Sequence, residues 1–98
     1  MPRFARKQTE PIEAVQFTGD LSLELDEMLT AAGGITLALP PENGKHCWDE
    51  ASMTLRVWNA EERQHIRVPT GHWVIKGLKG EMYPCSEEVF ERSYEEIS

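Results

Sequence analysis

Hydrophobic and polar positions along the chain change period several times, and each change marks an element. Ile12 to Thr18 is rich in β-branched and aromatic residues and is stopped by Gly19-Asp20, which predicts a first strand. Leu21, Leu25, Met28, Leu29 and Ala32 then recur at helical spacing, with Asp20 or Ser22 as the cap and Gly33-Gly34 as the stop. Glu24, Asp26 and Glu27 favour the early turns of that helix through its dipole. Ile35 to Leu39 reads as a short strand with Ile35, Leu37 and Leu39 facing inward, ended by Pro40-Pro41. Residues 40–52 have no period and carry Pro, Asn, Gly and mixed charge, which predicts a surface loop. Its Trp48 either folds back onto the core or forms one wall of a binding site.

Alternation resumes at Met53 to Trp58, with Met53, Leu55 and Val57 on the expected inner side. After a polar turn, His65 to Val68 returns as its hairpin partner. Pro69-Thr70-Gly71 then leads into the stretch on which the signals agree best, Gly71 to Cys85. Val74, Ile75, Met82 and Tyr83 are β-formers, and Gly77 and Gly80 bracket a tight reversal. Ser86 is placed to cap a helix from Glu87, with Cys85 and Phe90 as its hydrophobic staple. The expected fold is α+β: a small curved, mainly antiparallel sheet of about five strands, one packed helix and a short C-terminal helix.

The length of 98 residues allows one domain, 1–98, with residues 1–10 forming a basic N-terminal arm through Arg3, Arg6 and Lys7. No apolar run approaches the roughly 20 residues of a membrane helix, and no apolar signal core follows the arm, so a soluble, non-secreted chain is expected. The net charge of −7 argues against wide nucleic-acid binding, which depends on neutralising phosphates with Lys and Arg. Glu87, Glu88, Glu91, Glu95 and Glu96 concentrate the acid near the C-terminus. They form either a solvated helix face or a surface that docks a basic partner or imitates nucleic acid.

Candidate chemistry is sparse. His46, Cys47, His65, His72 and Cys85 offer nitrogen and sulfur ligands, but their spacing matches no common zinc pattern, so no metal and no cofactor is expected. Cys85 precedes a helix start, where a thiol pKa can fall, yet its staple role would bury it and act in the opposite direction. No catalytic residue is assigned. Gly77-Leu78-Lys79-Gly80, with Lys76 beside it, has the look of a small anion nest but joins strand to strand and lacks the phosphate-loop pattern. The alternative is an ordinary hairpin whose lysines discourage edge pairing.

Both ends of the chain resemble a group of small proteins encoded by tailed bacteriophages and prophages. At the front the matching residues are Glu13-Ala14-Val15-Gln16-Phe17-Thr18-Gly19-Asp20. At the back they are Gly71, Trp73 to Gly77, Lys79-Gly80-Glu81, Tyr83-Pro84-Cys85, Phe90-Glu91 and Tyr94-Glu95. Ala31 to Asn59 matches little. His72 stands where the group usually has Asp, Thr70 replaces Pro, and Ser86-Glu87 replaces Lys-Pro. The change at His72 removes a carboxylate, so no shared catalytic or metal role is carried to that position. The resemblance implies a phage origin and action in the host cytoplasm, and supplies no catalytic mechanism.

The expected function is therefore that of a non-enzymatic phage accessory protein that binds a host protein or an anionic small molecule. One form of this is sequestration of a nucleotide signal made by host defence, which a homo-oligomer would suit. The residues assigned to binding are Trp73, Lys76, Lys79, Glu81 and Tyr83. A virion or assembly-related structural role is the alternative, and a small hydrolase stands third.

Overall fold

The computed structural model describes residues 3–6 and 11–96. In chain order the elements are β1 (Arg3–Arg6), β2 (Pro11–Gln16), α1 (Leu23–Ala31), β3 (Ile35–Thr36), β4 (His46–Asp49), β5 (Thr54–Asn59), β6 (Gln64–Val68), β7 (Trp73–Lys76), β8 (Met82–Cys85), α2 (Glu87–Ser93) and β9 (Tyr94–Glu96). The α+β class stands. The single sheet does not: there are two, a five-stranded sheet ordered β8-β7-β2-β1-β9 and a four-stranded sheet ordered β3-β4-β5-β6. The β3–β4 pair is parallel and every other pair is antiparallel.

The extra strands lie where the sequence pattern is weakest. β4 falls inside the expected 40–52 loop, and His46, Cys47 and Trp48 are all buried in succession. A strand covered on both faces shows no alternation, so the period of two that would announce it is absent. β1 falls inside the expected basic arm and pairs with β2 and with the C-terminal β9; Lys7 of that arm lies outside the described residues.

Two further expectations are corrected. β3 is only two residues long, and Leu37 and Leu39 are 74% and 56% exposed rather than inward-facing. The Thr36 hydroxyl accepts a hydrogen bond from the Ala38 N–H at 3.2 Å, a local turn that takes the backbone out of the ladder. Met53 is 44% exposed because its backbone turns through φ +52° just before β5 begins, so it does not share the inner side of Leu55 and Val57.

The layers follow from side-chain alternation. Val15, Phe17, Val74 and Met82 of the first sheet meet Trp48, Leu55, Val57 and Val68 of the second, and Leu25, Met28 and Leu29 of α1 complete this main core. Ser22 caps α1 by accepting the Leu25 N–H, and the Gly34 N–H reaches back to the Leu29 carbonyl at 3.0 Å. That closing turn needs the positive φ of Gly33 and Gly34. On the far side of the first sheet, Ala14 and Ile75 pack with Phe90 and Tyr94 in a second cluster. Ser86 caps α2 by accepting the Val89 N–H, and Cys85 packs against the cluster that holds Phe90. The outer side of the four-stranded sheet receives no helix.

One buried polar side chain ties the two sheets. Asn59, 5% exposed, donates from Nδ2 to the Met82 carbonyl at 2.9 Å and accepts the Glu62 N–H at 2.8 Å. It joins β5 to β8 and also holds the 60–63 turn, where Arg63 has φ +54°.

Candidate functional site

The 73–85 hairpin forms as its sequence predicts, but it does not gather the assigned binding residues on one surface. Trp73 pairs with Cys85 and Ile75 with Tyr83, on the side that α2 covers. The Trp73 ring stacks on Phe90 at 4.1 Å with 10° between planes, and Phe90 stacks on Tyr94 at 4.9 Å. Lys76 pairs with Met82 and therefore points to the opposite side. Lys79 is exposed at the tip. The aromatic and cationic halves are separated by the sheet itself.

The tip is already partnered. Glu81 folds back so that its carboxylate accepts the Lys79 N–H at 3.0 Å. Its side chain occupies the space a Cβ on Gly77 would need. The Gly77 N–H goes to the Glu81 carbonyl at 2.8 Å and the Gly80 N–H to the Gly77 carbonyl at 3.0 Å. The donors that would make this turn an anion nest are directed at the chain's own oxygens.

The histidine and cysteine candidates also have internal assignments. Buried His46 accepts the Trp58 N–H at Nδ1 (2.9 Å) and meets the Ala32 carbonyl at Nε2 (2.9 Å). An acceptor at Nδ1 and a donor at Nε2 require the neutral ring, and burial together with nearby His65 lowers its pKa, against the raising pull of Ala32. Cys47 is fully buried with its Sγ 3.7 Å from the Ala38 carbonyl, and burial raises its pKa, which keeps it a thiol. His65 bonds the Lys45 carbonyl at 2.8 Å. Among the described residues, no group of three or more His, Cys, Asp or Glu side chains is arranged to hold a metal ion.

A concavity lies elsewhere. A groove of 700 Å³ opens between α1 and the start of the four-stranded sheet. Leu21, Ile35, Leu37 and Trp48 give it apolar walls, and Asp20, Asp26 and Glu50 place three carboxylates around them. Trp48 serves both readings made from the sequence. Its ring meets Phe17 edge-on at 6.0 Å in the core, and its Nε1 donates outward to Glu50 at 2.7 Å. Asp20 accepts the Leu21 N–H and Asp26 the Thr30 hydroxyl, so each carboxylate is oriented by one neutral donor. Among the described residues none of the three forms an ion pair. Such a site suits a group that is cationic at its rim and apolar in its body.

Sequence reading does not find this groove. The outward Leu37 and the strand carrying Trp48 both come from the segments it misassigns. The available signal is compositional: two leucines and a tryptophan flank a proline-rich stretch that was expected to be surface.

Comparison with protein-family models, with curated proteins and with solved structures returns no match. No helix among the described residues is long and apolar enough to cross a membrane.

Proposed function

We propose that this chain is a small non-enzymatic accessory protein of a tailed bacteriophage or prophage, acting in the host cytoplasm by binding a host protein. The observation that carries the binding reading is the groove, where Leu37 is 74% exposed beside three carboxylates that form no ion pair among the described residues. An exposed apolar wall ringed by one sign of charge favours a partner segment that alternates Lys or Arg with aliphatic residues. The phage assignment rests on the resemblance at the two ends of the chain. The non-enzymatic assignment is supported by the internal use of both His46 ring nitrogens and by the buried neutral thiol of Cys47. Sequestration of an anion at the hairpin tip is disfavoured, since Glu81 already holds that turn.

The test is a nuclear magnetic resonance titration of the whole chain with two synthetic peptides, one alternating Lys and Leu, the other Glu and Leu. The Lys peptide is expected to shift the Trp48 indole and the Ile35 and Leu37 methyls saturably. Asp26→Asn combined with Glu50→Gln should weaken it about tenfold or more, the loss of two charge-assisted contacts. Equal binding of both peptides, or binding unmoved by the double variant, refutes the groove. A photo-crosslinking residue at position 37 then separates the cellular roles. An adduct with a host protein in infected cells supports the accessory role, and an adduct with a capsid or tail protein in purified virions supports the structural one.

A further inference from the structure

On the outer side of the four-stranded sheet, where the Ala38 and Lys45 carbonyls meet Cys47 and His65, strand register sets four side chains in two adjacent rows. Arg56 lies directly opposite Arg67, and Trp58 lies directly opposite His65. Directly paired residues share one face, and rows two residues apart along a strand are separated by about 7 Å. Cys47 and Thr36 continue the first row toward β4 and β3. Trp58 and His65 meet edge to face at 5.0 Å, and both are half-buried.

Two guanidinium groups opposite each other are destabilising by themselves. Neither forms an ion pair among the described residues. Arg56 has a further debt: its Nη1 is shut off from solvent and has no hydrogen-bond partner among the described residues. Asp49 is the carboxylate closest in the pattern, and it instead accepts the Ser52 hydroxyl at 2.6 Å and the Ala51 N–H. The Ser52 hydrogen bond chiefly, and the charge of Arg56 in addition, lower the Asp49 pKa, but among the described residues no carboxylate stands within ion-pair distance of either arginine.

We propose that this face is a binding site for a small aromatic phosphate monoester. The dianionic phosphate lies between Arg56 and Arg67, and the ring lies against Trp58 beside His65. Guanidinium is the side chain whose planar donors match phosphate oxygens, and an aromatic body gains from an indole in the next row. The site is distinct from the groove and opposite to it in charge, so it stands or falls independently of the partner proposed there.

The experiment is a titration of the whole chain with phenyl phosphate and, separately, with inorganic phosphate. It is followed by the Nε–Hε resonances of Arg56 and Arg67 and the Trp58 indole, at a pH well above the second phosphate pKa of about 6. Saturable shifts at all three groups are expected, with phenyl phosphate the tighter ligand. Arg67→Gln and Arg56→Gln are each expected to weaken it about tenfold or more. Thermal unfolding supplies a readout that a merely structural pair would move the other way. Without ligand, Arg67→Gln should melt no lower than the wild type, because a repulsion is removed, yet it should gain less from phenyl phosphate. Non-saturating shifts, binding unchanged by Arg67→Gln, or a lower melting temperature for the free variant would each overturn the site. Equal affinity for the two ligands would overturn the aromatic part of the assignment.

Discussion

The outer side of the five-stranded sheet and the outer side of the four-stranded sheet are built by the same alternation along their strands, yet among the described residues only the first is covered by a helix. There Ala14, Ile75, Trp73 and Tyr83 lie under α2, with Phe90 stacked between Trp73 and Tyr94. On the second, Arg56, Arg67, Trp58 and His65 face outward. A side covered by its own chain is accounted for by packing, so the aromatic residues that looked like a binding surface at Trp73 and Tyr83 have a structural use. The like charges opposed on the second side are not accounted for by packing. In the hairpin Trp73 and Tyr83 pack in the cluster of Phe90 on α2, whereas both surfaces proposed to take a ligand draw on the middle of the chain.

The largest expected effect tests the covered side. Phe90 is 2% exposed and joins Trp73 to Tyr94, so Phe90→Ala should lower stability by about 3–5 kcal/mol in urea unfolding. If the two outer sides are independent, phenyl phosphate affinity in the variant that remains folded should not change. A parallel loss of affinity would show that the layers are coupled.

Next comes the joint between α1 and the open sheet. His46→Ala leaves the Trp58 N–H and the Ala32 carbonyl without their partners and should destabilise by about 2–4 kcal/mol. The ring also gives the fold a pH dependence. The folded-state pKa lies below the ordinary 6.5, so the unfolded chain takes up the proton first as pH falls. The contribution of His46 is complete above pH 6.5 and shrinks as pH drops from there through the lowered folded value. Urea unfolding at pH 8 and pH 5.5 should show a smaller loss in His46→Ala than in the wild type; equal losses would mean that folding does not lower the ring's pKa.

What was legible in the sequence divides along the same line. The α1 face, the caps Ser22 and Ser86, the β5–β6 pairing and the Gly77–Gly80 reversal follow from period and turn chemistry, and all are present. Strand β4 was illegible because His46 and Trp48 on one side and Cys47 on the other are all buried, which erases alternation. Leu37 has the spacing of an inward residue, but the Thr36 turn ends the strand before it and leaves the side chain exposed. The Arg56–Arg67 opposition needs the β5–β6 register, and a hairpin read from composition alone does not fix it.

A smaller effect probes the tip of the hairpin. Gly77→Ala should destabilise by about 1 kcal/mol or more, because the added methyl meets the Glu81 side chain, which must then give up the Lys79 N–H. In the Glu81→Ala background the same substitution should be nearly neutral. A double-mutant cycle measures the coupling, and simple additivity would mean that Glu81 does not hold the turn.

The smallest change in stability belongs to the groove, where it gives the clearest separation of fold from function. Leu37 is 74% exposed and lies beyond the end of β3, so Leu37→Glu removes little packing and should alter stability by less than about 0.5 kcal/mol. It also adds a fourth carboxylate to a rim that holds Asp20, Asp26 and Glu50. The direction in which Lys/Leu peptide binding changes reads whether the apolar wall or the charge dominates. Leu37→Ser isolates the wall, since it removes the side chain without adding charge. If both variants weaken the peptide, the apolar contact leads. If Leu37→Glu strengthens it while Leu37→Ser weakens it, the carboxylate rim leads, and the partner is selected chiefly by its basic residues. Unchanged binding in both would exclude Leu37 from the contact and turn the comparison back to the arginine face.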